Sequence, residues 1–74
     1  MNTMYARISL KSGGSIDVDN VKSVTSRNRH GEKREYIADE LSEFNLGGNV
    51  YDYTIIGDQY FSATAENTWF VYFA

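Results

Sequence analysis

From Met4 to Lys11 the chain alternates without a slip. Met4, Ala6, Ile8 and Leu10 fall on one side, and Tyr5, Arg7, Ser9 and Lys11 on the other. Successive side chains of a strand point to opposite faces, so this stretch predicts a strand with one buried face. The segment SIDVDNV follows Gly13 and Gly14 and alternates again, which predicts a β-hairpin. A two-residue loop at Gly13 and Gly14 would set Leu10 against Asp17 and Ile8 against Asp19, core residues against carboxylates. A three-residue loop, Ser12 to Gly14, sets Leu10 against Ile16, Ile8 against Val18 and Arg7 against Asp19. This is the expected register, because glycine supplies the left-handed residue of such a loop and a slip by one residue inverts every side chain.

Beyond Asp19 the period changes. Val18, Val21 and Val24 stand three apart, which places a bulge or a single helical turn at Asp19 and Asn20, with strand resuming near Val24. Residues 26–34, SRNRHGEKR, have no apolar side chain and contain Asn28 and Gly31, so they read as an exposed turn, after which Glu35, Tyr36 and Ile37 add a short strand. Ile37, Leu41 and Phe44 recur at i, i+4 and i+7 and predict a short helix over about 38–45, with Asp39 and Glu40 at its positive end and Gly47 after its last turn. VYDYTII and YFSATA then form a second hairpin about a loop of Gly57 to Gln59. It pairs Tyr53 with Ala63 and Ile55 with Phe61 on one face, and Thr54 with Ser62 and Ile56 with Tyr60 on the other. After Glu66 and Asn67 comes TWFVYFA. Its run of six apolar residues is too short for a membrane and predicts a strand covered on both faces.

The expected architecture is one small α+β domain spanning residues 1–74, mainly antiparallel β. It has two hairpins, a C-terminal strand and the short helix, with a small SH3-like or Sm-like barrel as the alternative. At 8.4 kDa, folding buries roughly 7,600 Å² by the area scaling laws. If about 60% of that is apolar, its burial contributes on the order of 110 kcal/mol, and ordering 74 residues costs about as much. A chain in this position is expected to gain stability from a partner. No cysteine is present and there is one histidine, which removes disulfides and the usual zinc ligand sets.

Charge is unevenly placed. Residues 1–36 hold seven bases and four acids, and residues 37–74 hold six acids and no base, giving +3 and −6 for a net −3. Arg7, Lys11, Asp17 and Asp19 break up the first 20 residues, so no signal or spanning segment is read there. A soluble, cytoplasmic protein without membrane contact is expected.

No catalytic constellation emerges. His30 is the only imidazole and lies in a polar loop, without a third group to orient it. DVDN at 17–20 begins like a calcium loop, but Lys22 and Asn28 stand where that loop needs glycine and glutamate. The Gly13-Gly14 and Gly47-Gly48 pairs lie outside any phosphate-binding frame. Neither an enzyme nor a bound cofactor or metal is expected. Asp39, Glu40, Glu43, Asp52 and Asp58 make an acidic group suited to a basic protein surface. Arg27, Arg29, His30, Lys33 and Arg34 are the candidates for nucleic-acid contact, through phosphate neutralisation and base stacking.

Aromatic residues are the other surplus, at six Tyr, four Phe and one Trp. The rings of the last strand cannot all face one core, so a partner contact is expected. The candidates are Tyr51, Tyr53, Tyr60, Trp69 and Tyr72, with the acids Asp39 and Glu43.

The opening hairpin, YARISLKSGGSIDVDNVKSV, resembles that of many small phage and mobile-element proteins, in which a strand ending LKSG turns back into a second strand. The resemblance covers about 20 residues and carries no functional residue with it. It implies an accessory factor, or an inhibitor of host defence or host enzymes that acts by binding. The leading expectation is therefore a non-enzymatic, self-associating protein-binding module that inhibits or adapts a larger host macromolecule. A small nucleic-acid-binding domain using loop 26–34 is the alternative.

Overall fold

The computed structural model describes residues 4–47 and 49–74. Seven strands follow one another: β1 Ala6–Leu10, β2 Ser15–Val18, β3 Ser23–Asn28, β4 Lys33–Ile37, β5 Val50–Ile56, β6 Tyr60–Thr64 and β7 Thr68–Phe73. All pairings are antiparallel. They form a three-stranded sheet A, order β2-β1-β7, and a four-stranded sheet B, order β4-β3-β5-β6. The mainly antiparallel expectation holds. The barrel alternative does not, because the strands remain in two open sheets.

The reason lies at the corner between β2 and β3. A barrel of this kind carries one bent strand from sheet to sheet, whereas here the strand breaks at Asn20, which has φ 52°. The expected interruption at Asp19 and Asn20 is this corner. Val21 N–H donates to Met4 C=O on the sheet A side (2.7 Å), and Lys22 N–H donates to Ile56 C=O on the sheet B side (2.8 Å). The β5–β6 turn closes on the same corner. Asp58 N–H donates to Asp19 C=O (2.8 Å), and Gly57 packs so tightly that a Cβ there would stand 2.5 Å from the Asp19 carbonyl oxygen.

Both hairpin loops contain three residues, but only one register is as expected. β5 and β6 pair Tyr53 with Ala63, Thr54 with Ser62, Ile55 with Phe61 and Ile56 with Tyr60. In the first hairpin, Arg7 pairs with Asp17 and Ile8 with Ile16, two residues away from the expected partners. The loop is Lys11 to Gly13, with Leu10 N–H donating to Gly14 C=O (3.2 Å). Gly13 and Gly14 both take positive φ, 113° and 77°. A slip of two preserves the side-chain faces, and Ala6, Ile8 and Val18 are fully buried.

The expected helix at 38–45 is instead a 3₁₀ segment, Ala38–Glu43. A segment this short does not recover the cost of nucleating an α-helix, and the tighter turn of three residues suits it. Phe44 N–H donates to Leu41 C=O (3.2 Å). Leu41 and Phe44, three apart, face the core, while Ile37 ends β4 half exposed. The predominantly β chain thus has 3₁₀ turns in place of the helix of an α+β fold.

The core lies between the two sheets. Ala6, Ile8 and Val18 from sheet A meet Val24, Tyr36, Tyr53 and Ile55 from sheet B, with Val21 and Leu41 at the ends. One buried polar contact crosses it: the Tyr53 hydroxyl lies 2.8 Å from Thr68 Oγ1. Thr68 Oγ1 itself donates to Thr64 C=O (2.9 Å), so Tyr53 is the donor. Tyr53, an expected partner contact, is 2% exposed and belongs to the interior.

Burial pushes the Tyr53 pKa up, because the interior disfavours a phenolate. A raised folded value means that its contribution to stability is complete below the ordinary tyrosine value of about 10 and fades as the pH climbs through the folded value. Tyr53→Phe is expected to lower stability by about 1 kcal/mol at neutral pH and to shrink the alkaline loss. Urea titrations at neutral and alkaline pH check both effects.

Candidate interaction surface

Sheet A turns one face to the core and one outward. The register places Tyr5, Arg7 and Ser9 of the β1 side, Ser15 and Asp17 of β2, and Phe70 and Tyr72 of β7 on the outer face. β7 reaches this arrangement through a bulge. Ser9 pairs with Phe70 but Leu10 pairs with Thr68, so Trp69 is an extra residue in the ladder. Thr68, Val71 and Phe73 turn inward, and the rings between them do not.

The expectation that β7 would be covered on both faces is therefore corrected. Trp69 is 64% exposed, and Phe70 and Tyr72 are each 53% exposed. Sheet A has the core on one side only, and no described element packs on the other. Tyr5 adds a fourth ring, edge-on to Tyr72 with centroids 6.4 Å apart. Lys11 Nζ lies 5.1 Å from the Trp69 ring centroid, a cation–π contact.

The charges on this face are matched. Arg7 donates from Nε to Asp17 Oδ1 (2.8 Å) and from Nη2 to Asp17 Oδ2 (3.1 Å). These hydrogen bonds from Arg7 hold the Asp17 carboxyl below its ordinary pKa, and the Asp17 partner raises that of Arg7.

The sequence candidates do not gather into one place. Trp69 and Tyr72 share the outer face of sheet A, where the structure adds Phe70 and Tyr5. Tyr60 is 76% exposed at the start of β6, on sheet B. Tyr51 lies beneath Arg29, whose guanidinium carbon is 5.6 Å from its ring centroid. Asp39 is exposed on the 3₁₀ segment, and Glu43 accepts from Arg34 Nη2 (3.4 Å). Tyr5 was legible as an outward position in the first alternation. Phe70 was not, because nothing in TWFVYF marks Trp69 as the bulged residue.

The stretch 26–34 is less of a loop than its composition suggests. Ser26, Arg27 and Asn28 end β3, and Lys33 and Arg34 begin β4. Asn28 builds the turn between them: its Oδ1 accepts from His30 N–H (2.9 Å) and Glu32 N–H (3.0 Å), while Gly31 takes φ 84°. Arg27 is held by Asp52, with Nε–Oδ1 at 3.1 Å, and Arg34 lies over the Tyr36 ring at 4.4 Å as well as against Glu43. His30 is exposed, and its ring has no hydrogen-bond partner among the described residues.

An open cleft of about 450 Å³ crosses the outer side of sheet B, lined by Thr25, Thr54, Ser62 and Thr64 beside the Arg27–Asp52 pair. Thr54 and Ser62 bond to each other at 2.8 Å, and no imidazole or second carboxylate stands by to activate a hydroxyl. Among the described residues no group of three His, Asp or Glu side chains is placed to hold a metal ion, and no helix is long and apolar enough to cross a membrane.

Comparison with known proteins finds no matching family model, no matching characterised protein and no matching solved structure.

With Arg27 and Arg34 engaged by carboxylates, Arg29 and Lys33 are the loop cations without one among the described residues. Each phosphate contact contributes a slope of about −0.7 to −0.9 to the logarithm of affinity against the logarithm of salt. Any single-stranded DNA complex seen at low salt is expected to show a slope shallower than about −2. A fluorescence-anisotropy titration giving about −3 or steeper would mean that the ion pairs open for phosphate.

Proposed function

We propose that this protein is a non-enzymatic protein-binding module that docks through the outer face of sheet A and self-associates. By occupying the surface of a larger macromolecule it serves as an inhibitor or adaptor. The observation that carries the reading is the exposure of Trp69, Phe70 and Tyr72 on one strand, at 64%, 53% and 53%. Aromatic rings bury about 150–250 Å² each when covered, so these three leave roughly 300–400 Å² of ring surface in water. A patch of that size is comparable to the largest on a typical monomer, which is often a functional surface, and aromatic residues dominate the energetics of contact sites.

The neutral Arg7–Asp17 pair and Lys11 at the edge supply a polar rim around the rings. The nucleic-acid reading draws on Arg29 stacked over Tyr51 and on Lys33, a smaller cationic footprint than the sequence promised. The open sheets offer neither a shaped pocket nor a base held beside a nucleophile, which is why catalysis is not proposed.

Affinity capture from the native host with three forms of the protein tests the reading. Trp69→Ser, Phe70→Ser and Tyr72→Ser combined should abolish capture while the far-UV spectrum stays native, since exposed substitutions of this kind change stability by about 0.5 kcal/mol or less each. Replacing Arg27, Arg29, Lys33 and Arg34 with Ser should leave capture intact. The opposite pattern would transfer the function to the basic hairpin.

A further inference from the structure

Sheet edges are where a β protein is exposed to pairing with another chain. Four strands lie at edges here, and three carry protection. β2 is four residues long and includes Asp17, β4 begins Lys33-Arg34-Glu35, and β6 is short with Ser62 and Thr64. β7 is six residues, TWFVYF, without a charge or a proline.

The backbone of that edge can be followed residue by residue. Tyr5 and Ala74 exchange both of their hydrogen bonds, at 2.9 and 3.0 Å. Mutually bonded pairs alternate along an antiparallel ladder, so Tyr72 with Arg7 and Phe70 with Ser9 are also of this type. Val71 and Phe73 consequently direct their N–H and C=O groups away from β1, to the open side. None of the described residues bonds to them. Beside this edge runs a groove of about 320 Å³, between β7 and the segment 44–47, lined by Phe44, Leu46, Trp69, Phe70 and Val71.

We infer that the occupant of this edge is a second copy of the same chain, paired β7 to β7 about a two-fold axis through Tyr72. This rests on the protein-binding reading above and names its partner. An antiparallel strand pair is self-complementary, so one surface serves both copies. In this register Val71 of each copy bonds Phe73 of the other, and all four free N–H and four free C=O groups are satisfied. Tyr72 meets its own symmetry mate on the outer face, and Phe70 lies across from the small Ala74. No like charges are brought together, because β7 has none. β2 and β4 carry charges, and β6, one residue shorter than β7, alternates the polar Ser62 and Thr64 along its outer face and has no row of three exposed rings. The two sheets A then run together as one sheet of six strands, with the rings of both copies along its outer face.

The rings cover a total well below the 1,200 Å² or so that marks a standard interface, so the contact is a transient one and covalent capture is the suitable probe. Residues at a pair that does not exchange hydrogen bonds have Cα atoms about 4.5 Å apart, inside the range a disulfide spans. The chain has no cysteine, so Tyr72→Cys introduces a single thiol. Under mild oxidation Tyr72→Cys is expected to form a disulfide-linked dimer about tenfold faster or more than Tyr60→Cys, a comparably exposed thiol site on the β6 edge. Tyr72→Lys and Tyr72→Glu should each be monomeric alone and associate on mixing. Equal oxidation rates, or no recovery on mixing, would overturn the two-fold β7 contact. If host-protein capture through Trp69, Phe70 and Tyr72 persists in that case, the binding reading stands with a different partner, and if it is lost as well, both fall.

Discussion

The hydroxyl of Tyr53, reaching from sheet B to Thr68 of β7, sets the orientation on which the outer surface depends. Thr68 is turned inward and bonded on both sides, to Tyr53 and to the Thr64 carbonyl. Val71 and Phe73 must also face the core to pack against it. Residues 68 and 71 differ by an odd number, and an unbroken strand cannot point both inward. The bulge at Trp69 resolves the conflict. Its by-product is that Trp69, Phe70 and Tyr72 all leave the interior, so the exposed rings follow from how the inside is tied together.

The same register shows how far the sequence can be followed. Strict alternation in MYARISLK and the paired faces of VYDYTII and YFSATA were legible, because a period of two and a short glycine-containing loop leave few registers open. In the first hairpin the expected loop is 12–14 and the observed one is 11–13; both adjacent glycines take positive φ, so their positions alone do not fix the turn. Ile37, Leu41 and Phe44 imitated a helical face, yet Leu41 and Phe44 alone fit a three-residue turn. Of the candidate contact residues, Trp69 and Tyr72 are exposed on β7. Tyr53 was indistinguishable from them in sequence, since burial of one tyrosine in a strand depends on which sheet face its partners take.

Charge followed topology in a way that no linear reading reveals. In sequence the charges divide into a basic first half and an acidic second half. Strand order interleaves them instead: β5 lies beside β3, which brings Asp52 to Arg27, and the 3₁₀ segment brings Glu43 to Arg34. The cluster that looked like a phosphate grip is in large part the inner half of two ion pairs. The three exposed rings that stand together, Trp69, Phe70 and Tyr72, lie on one strand.

An uncharged edge, four outward backbone groups and a row of rings are the grounds on which we propose β7 as the element through which this fold meets another molecule. Hydrogen exchange at the Val71 and Phe73 amides addresses that claim most directly, because both point to the open side of the sheet and neither has an acceptor among the described residues. The account predicts fast exchange of these two amides in dilute protein and marked slowing in concentrated protein, with the Phe70 and Tyr72 amides slow throughout. Fast exchange of Val71 and Phe73 at every concentration, with or without a captured partner, would contradict it.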